Sequence, residues 1–317
     1  MNEKIMSFQN AIIGNEQIVN MLERSYKTGK LSHAYLFDGP EHIGKKTLAL
    51  AFCKLLLRND PMQKYGANND DNGDKIEEDP DLAVLRPDED KKQIVIEQVR
   101  DLQKKLSLFP YSAKYKVAII EQADMMSKSA ANSILKTLEE PSGTTILILL
   151  TSNSGNLLDT IKSRCQILKF LPVKKMVLED FVKNKISDQS RVEKIIELAG
   201  YKPGKIVEFT NDGGKIEELI GILDSFSNFV QKGDIERLDE AEIVSKKEIN
   251  EIVDLLNLYS FYLRKVLLKE YKKINDINKN KVVKIKSNIN LIDNTKRDIL
   301  TKNVNPRLAI ENLFLQI

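Results

Sequence analysis

The sequence predicts an α/β domain built on a parallel sheet, followed by a small helical domain and a larger all-helical one. Three observations carry that expectation. In the first half, short buried-type apolar runs alternate with helical patterns, which is the signature of a parallel sheet covered on both faces. Beyond Phe170-Leu171-Pro172 the strand signals fade and helical periodicity takes over. Breaks at Leu171-Pro172 and at Asn211-Asp212-Gly213-Gly214 then place domains at 1–170, 171–212 and 213–317.

In chain order, Glu16 to Lys27 reads as a helix and His33-Ala34-Tyr35-Leu36-Phe37 as a short buried strand. Lys45 to Leu57 follows as a helix. Between Arg58 and Pro80 the sequence turns polar, with Asn68-Asn69-Asp70-Asp71-Asn72-Gly73 and few large apolar residues, and is expected to be a mobile insertion. Lys116 to Ile120 and Thr145 to Leu150 are further buried strands, separated by a helix from Ser129 to Glu140 that Pro141 stops. The helical second half is read at Met176–Lys185, Val192–Ala199, Ile216–Val230, Ile249–Leu268 and Pro306–Leu315.

Composition excludes several classes. With 42% hydrophobic and 30% charged residues, the 317-residue chain sits among globular proteins, away from disordered or collagen-like ones. No apolar run approaches the ~20 residues that span a bilayer, and the N-terminus has no apolar leader followed by a cleavage site, so the expectation is a cytoplasmic protein without membrane contact. Two cysteines, Cys53 and Cys165, and two histidines, His33 and His42, lack the paired spacing of a structural zinc site, so zinc is not expected. Charge is unevenly spread: Asn59 to Asp90 carries a net −8 and Arg264 to Lys302 a net +8. The basic segment could follow nucleic-acid phosphates or an acidic protein face, or be a solvated helical surface.

The first strand runs into Gly39-Pro40-Glu41-His42-Ile43-Gly44-Lys45-Lys46-Thr47, and a helix follows. This matches the phosphate-binding pattern G-x-x-x-x-G-K-[ST] through Lys45, but position eight is Lys46 and Thr47 comes one place late. In a working loop, backbone N–H groups cradle phosphates, the Lys reaches the β/γ oxygens, and the Ser/Thr hydroxyl holds Mg²⁺. Here the hydroxyl is missing from its place. Thr47 points about 100° around the helix from Lys46 and cannot take over the metal without rearrangement. Whether ATP and Mg²⁺ bind stays open at this level.

A nucleotide site also needs a buried strand ending in acids, which Val117-Ala118-Ile119-Ile120-Glu121-Gln122-Ala123-Asp124 supplies. Glu121 stands in the metal-holding place, but Gln122 occupies the position of the usual Glu, and an amide cannot accept a proton as a base. An exposed strand end followed by a helix cap at Asp124 explains the same residues. Asn153, in Thr151-Ser152-Asn153 after the strand 145–150, stands where a polar group near the γ-phosphate is expected; a plain turn accounts for it equally well.

Several further stretches resemble the bacterial clamp-loader AAA+ family. They are His33 to Pro40, Ile96-Glu97-Gln98-Val99-Arg100-Asp101-Leu102, Ala131-Asn132-Ser133-Ile134-Leu135-Lys136-Thr137-Leu138-Glu139-Glu140-Pro141, Ser163-Arg164-Cys165 and Asn305-Pro306-Arg307-Leu308, spread over nearly the whole chain. The resemblance implies an AAA+ P-loop domain with a parallel sheet, a helical lid and an all-α collar that joins five subunits in a ring. Partners implied are the gamma/tau and delta subunits of DNA polymerase III in a hetero-pentamer and, through it, the sliding clamp and primer-template DNA. The four zinc-binding cysteines that many members carry after the P-loop helix are absent from Arg58–Asp79. Lys46 and Gln122 point to the delta-prime branch, a stator that does not hydrolyse ATP, and away from the gamma/tau motor.

The resemblance also assigns roles to individual positions. Arg164, within Ser-Arg-Cys, would be an arginine finger offered in trans to the γ-phosphate held by a neighbour, where a planar fork engages oxygens that Lys could not. Gly39, Gly44, Lys45, Thr47, Glu121, Asn153 and Lys205 form the degenerate nucleotide site, with Lys205 in the sensor-2 segment where motors commonly have Arg. Arg100, Lys104, Lys105 and Lys136 are candidate DNA-phosphate contacts, with a solvated helix face as the alternative. No catalytic metal and no required cofactor are expected, and the isolated chain is not expected to be an enzyme. Two other functions remain: an ATP-hydrolysing gamma/tau-type motor, and a DNA-binding protein acting through its basic C-terminal segment.

Overall fold

The computed structural model describes residues 8, 12–57, 76–88, 93–141, 144–186, 188–211, 213–229, 233–272, 278–301 and 304–317. The chain divides into two compact units, Met1–Thr210 and Asn211–Ile317. The polar insertion expected from Arg58 falls, through residue 75, outside the described residues.

Unit one opens with helix α1 (Glu16–Thr28), strand β1 (Ala34–Asp38) and helix α2 (Lys45–Leu57). Then come β2 (Leu82–Leu85), α3 (Ile96–Leu106), β3 (Lys116–Ile120), α4 (Lys128–Glu139), β4 (Thr145–Thr151), the one-turn α5 (Asp159–Lys162) and β5 (Gln166–Lys169). The strands form one sheet in the order β2-β3-β4-β1-β5, with every neighbour parallel. β2 and β5, four residues each, lie outside the strands read from sequence. Both are edge strands, too short to show a period, and Ile167 of β5 faces out.

Alternation along the central strands explains why they read as unbroken apolar runs. Tyr35 and Phe37 of β1 point into a core with Phe52 and Leu48 of α2, while Ala34 and Leu36 point to the opposite core with Ile134 and Leu138 of α4. The first four of the five β1 side chains are inaccessible to solvent. The Tyr35 and Phe52 rings meet edge to face at 5.6 Å, an arrangement that aromatic quadrupoles favour. α4 begins where the Ser127 hydroxyl accepts the Ala130 N–H at 3.1 Å, satisfying one of the free first-turn donors. It is fixed to α3 by the Gln103 amide, which donates to the Ser133 carbonyl and the Thr137 hydroxyl, each at 2.9 Å.

Three short helices close unit one: α6 (Lys175–Lys185), α7 (Gln189–Leu198) and α8 (Pro203–Asn211). The first residues of α8 lie against the loop before α2. The Gly204 N–H donates to the His42 carbonyl at 2.8 Å, and a Cβ at 204 would sit 2.9 Å from that oxygen, so only glycine permits this approach.

Unit two is all helical: α9 (Gly213–Phe229), α10 (Asp234–Ser245), α11 (Ile249–Tyr271), α12 (Lys279–Thr301) and α13 (Pro306–Gln316). Its core centres on Phe226, stacked 3.8 Å from Tyr259, with Phe229 against Phe314 at 4.6 Å. α12 covers much of the basic segment, and Val282, Ile285, Ile289, Ile292 and Ile299 bury one face of it at helical spacing. Part of that segment's charge is matched internally, by Arg264 to Asp293 at 2.8 Å and Lys296 to Asp293 at 3.3 Å. Asn305 caps α13 by accepting the Arg307 N–H at 2.9 Å, with Pro306 pre-set for the first turn. Among the described residues no helix is long and apolar enough to cross a membrane.

Candidate functional site

The C-terminal ends of β1, β3 and β4 and the N-terminus of α2 surround a cleft of about 460 Å³. Its position follows from the topology, because ligands of open parallel sheets bind beyond the carboxyl ends of the strands. Gly44, Lys45, Lys46, Thr47, Glu121, Gln122, Ser152 and Gly204 are among its lining residues. Of the sequence-derived nucleotide residues, Gly44, Lys45, Thr47 and Glu121 therefore meet there. Gly39, Asn153 and Lys205 are outside the lining. The Asn153 side chain instead accepts the Gly155 N–H at 3.2 Å and closes a one-turn 3-10 helix, Ser154–Asn156.

The loop between β1 and α2 depends on a left-handed residue at Gly44, with φ +94°. His42 also takes a left-handed conformation, with φ 59°; burial and the nearby Lys205 and Lys202 ammoniums hold its imidazole below the usual histidine range. Lys45 folds back onto the loop, its ammonium donating to the carbonyls of Gly39 and Pro40, the latter at 2.6 Å. Partial burial lowers its pKa despite Glu41, Asp124 and Asp38 nearby.

Lys46, at the position of the missing hydroxyl, turns to the end of β3. Its ammonium lies 3.1 Å from a Glu121 carboxylate oxygen and 3.5 Å from Glu77. The same Glu121 oxygen accepts from Arg86 Nε at 2.9 Å, and the Arg86 fork reaches the Glu77 carboxylate at 2.6 Å. Two cations and two anions thus form a closed square at the mouth of the cleft. Partial burial favours protonation of Glu77, but Arg86 and Lys46 outweigh it and hold its pKa below the usual carboxylate range. Gln122, next along, adopts a left-handed φ of 49° and ends the strand. Beyond it Asp124 accepts from the Thr151 hydroxyl at 2.7 Å, tying the segment after β3 to the end of β4.

Glu77 and Arg86 were missed as site residues in the sequence. A signal existed: Leu85 of β2 pairs with Ile120 of β3, so residues 86 and 121 leave adjacent parallel strands at one level. Recognising β2 would have brought Arg86 to Glu121.

Arg164 follows α5 and precedes the edge strand β5. Its guanidinium pairs with Glu139 at 2.8 Å and donates to the Thr160 carbonyl at 3.0 Å. Neighbouring Cys165 packs against the core on the α4 side of the sheet, and burial raises its thiol pKa to about 12. Arg100, Lys104 and Lys105 project as exposed residues from α3, with Lys104 paired to Asp101, and Lys136 is exposed on the adjoining α4.

Comparison with known proteins decides the lineage. The family model described as DNA polymerase III, delta subunit, matches residues 14–174, half of the 317 residues. The chain belongs to that family. The delta′ subunit of DNA polymerase III from Bacillus subtilis is 38% identical over 169 residues, covering 52% of this chain and 50% of that protein. The tau subunit from the same organism is 30% identical over 243 residues, 74% of this chain and 40% of that protein. The chain thus spans about half the length, or less, of these curated relatives. Among solved structures, a gamma-subunit-related protein of DNA polymerase III from Thermotoga maritima matches with a TM-score of 0.55 at 22% identity, over 92% of this chain and 97% of that one. That likeness concerns the fold, which is the AAA+ type: a five-stranded parallel sheet with a P-loop, followed by helices.

Proposed function

We propose that this family member is a delta-prime-type clamp-loader subunit, a stator that does not hydrolyse ATP itself and offers Arg164 in trans to the nucleotide of a neighbouring subunit. One observation carries the reading: the acid at the end of β3, Glu121, is engaged by both Lys46 and Arg86 and is followed by a neutral amide, Gln122. The donor set does not fit Mg²⁺. A hydroxyl is replaced by an ammonium, and a cation bridging Glu121 to phosphate would face two positive neighbours. Gln122 has no proton-accepting group with which to activate water.

Similarity to delta′ over 169 residues supports the assignment. In this reading the chain acts with gamma/tau and delta subunits in a cytoplasmic five-membered ring that places a sliding clamp on primer-template DNA. Its position in the turn before an edge strand suits Arg164 to reach across a subunit boundary. Arg100, Lys104, Lys105 and Lys136 would follow the DNA backbone. No zinc and no bound cofactor are needed for a stator.

A tau-type motor is the second reading, favoured by the longer stretch of similarity to tau. It requires Thr47 to serve the metal. The two readings separate in Mg-ATP turnover by the purified chain and its Lys45→Ala variant: the stator shows no turnover above background in either. Turnover by the unmodified chain that Lys45→Ala abolishes would make it a motor.

A further inference from the structure

The square formed by Lys46, Glu121, Arg86 and Glu77 lies where a P-loop protein holds its metal, and two of its members are cations fixed on the acid that would ligate it. We infer that this P-loop takes the phosphate chain of a nucleoside di- or triphosphate without a divalent cation, with the Lys46 ammonium serving as a built-in countercharge beside Glu121. The inference rests on reading residues 39–47 as a phosphate-binding loop.

The geometry supplies each part. The first N–H groups of α2 have no partners within the helix, and Gly44, Lys45, Lys46 and Thr47 at that end line the cleft. Lys45 is half-buried at the loop, its ammonium on two loop carbonyls, and an incoming phosphate oxygen offers it a charged acceptor in exchange for neutral ones. Lys46 is held on the other side at 3.1 Å from Glu121. In a magnesium-dependent site the dication arrives with the nucleotide and neutralises both the acid and the β/γ oxygens. Here the acid is already neutralised from within the chain, and Lys46, with partners in Glu121 and Glu77, still has one of its three donors to spare. Lys46 and Arg86 both sit on one oxygen of Glu121, so a dication placed on that carboxylate would meet two positive charges at contact range, and removing Lys46 takes away one of them.

The sign of the metal effect is therefore opposite to that of ordinary P-loops. Magnesium bound to free ATP or ADP lowers the ligand's negative charge, which weakens its attraction to Lys45 and Lys46 and supplies no bridge in return.

The test is equilibrium binding of radiolabelled ATP and ADP to the full chain, in EDTA and in excess Mg²⁺, with Lys46→Thr and Lys45→Ala alongside. The unmodified chain should bind as tightly in EDTA as in Mg²⁺, or tighter. Lys46→Thr should reverse the preference, with Mg²⁺ strengthening binding by about tenfold, the scale of one gained charge-assisted contact. Lys45→Ala should lose binding in both conditions. With Mn²⁺ as probe, nucleotide should bring no protein-bound paramagnetic ion to the unmodified chain and should bring one to Lys46→Thr; circular dichroism shows that each variant is folded. Tenfold tighter binding in Mg²⁺ by the unmodified chain, or no binding in either condition, would overturn the inference. Assembly with gamma/tau and delta partners, read separately by gel filtration, tests the stator reading, and its failure would leave the metal ratio untouched.

Discussion

The guanidinium of Arg164 sits 2.8 Å from the carboxylate of Glu139, joining the turn before β5 to the last residue of α4. Both belong to stretches that read as clamp-loader motifs, Ser-Arg-Cys and Leu-Glu-Glu-Pro, so two signals distant in sequence meet in one ion pair. The Thr160 carbonyl fixes the other side of the guanidinium. Arg164 is therefore positioned within its own chain, and it must exchange Glu139 for phosphate to act on a neighbour.

Glu139 is half exposed, and an ion pair so close to solvent contributes little to folding. Glu139→Gln should change unfolding free energy by less than about 1 kcal/mol in urea titration. It should also leave turnover of an assembled complex undiminished, because it removes a competitor for the guanidinium. A large loss of stability would mean that the pair is structural.

Asp81 offers a contrasting carboxylate. It is fully buried and accepts the N–H groups of Tyr111, Ser112 and Ala113 at 2.6, 2.9 and 2.9 Å, with Lys116 at 3.8 Å. These bonds shape the turn that carries the exposed rings of Phe109 and Tyr111. Burial alone would raise the Asp81 pKa, but the three backbone donors and Lys116 outweigh it and hold the carboxyl below its usual range. A depressed native pKa contributes stability that is present above the unfolded carboxyl pKa and is lost as pH falls through the native one. Asp81→Asn should cost about 1–3 kcal/mol at pH 7, since an amide presents donors to donors. The gap between variant and parent should narrow as urea titrations are taken to lower acid pH. A gap independent of pH would contradict the charge-based account.

The Cys165 thiol, raised by burial to about 12, should be nearly inert in the folded chain. At pH 8 its thiolate fraction falls roughly 10³-fold below that of a free cysteine. Cys53, wholly buried, is raised by the same cause. Alkylation followed by mass spectrometry should label both only after unfolding. Rapid native labelling of Cys165 would show that the segment beside Arg164 opens.

The central architecture was legible because its signals are strong and local. Two-sided burial makes β1, β3 and β4 continuous apolar runs, and the Gly39–Thr47 spacing marks the turn between β1 and α2. β2 and β5 escaped because four-residue edge strands carry no resolvable period; β2 is also embedded in an acidic run. With β2 went the chance to place Arg86 beside Glu121. The sequence showed that Lys46 replaces a hydroxyl, but not where the ammonium goes: that depends on a strand end about 75 residues away in the chain. Asn153 illustrates the reverse case, a residue whose functional and turn readings were equally open and whose side chain closes a turn.

The most direct test of the stator account is DNA-stimulated ATP hydrolysis by the clamp loader reconstituted with this chain, compared with Arg164→Ala. Arginine fingers in P-loop systems contribute ~10³–10⁵ in rate at the site they serve. The account predicts intact assembly by gel filtration with turnover clearly reduced, and no rescue by Arg164→Lys, which lacks the planar fork. Unchanged turnover in a fully assembled Arg164→Ala complex would contradict it.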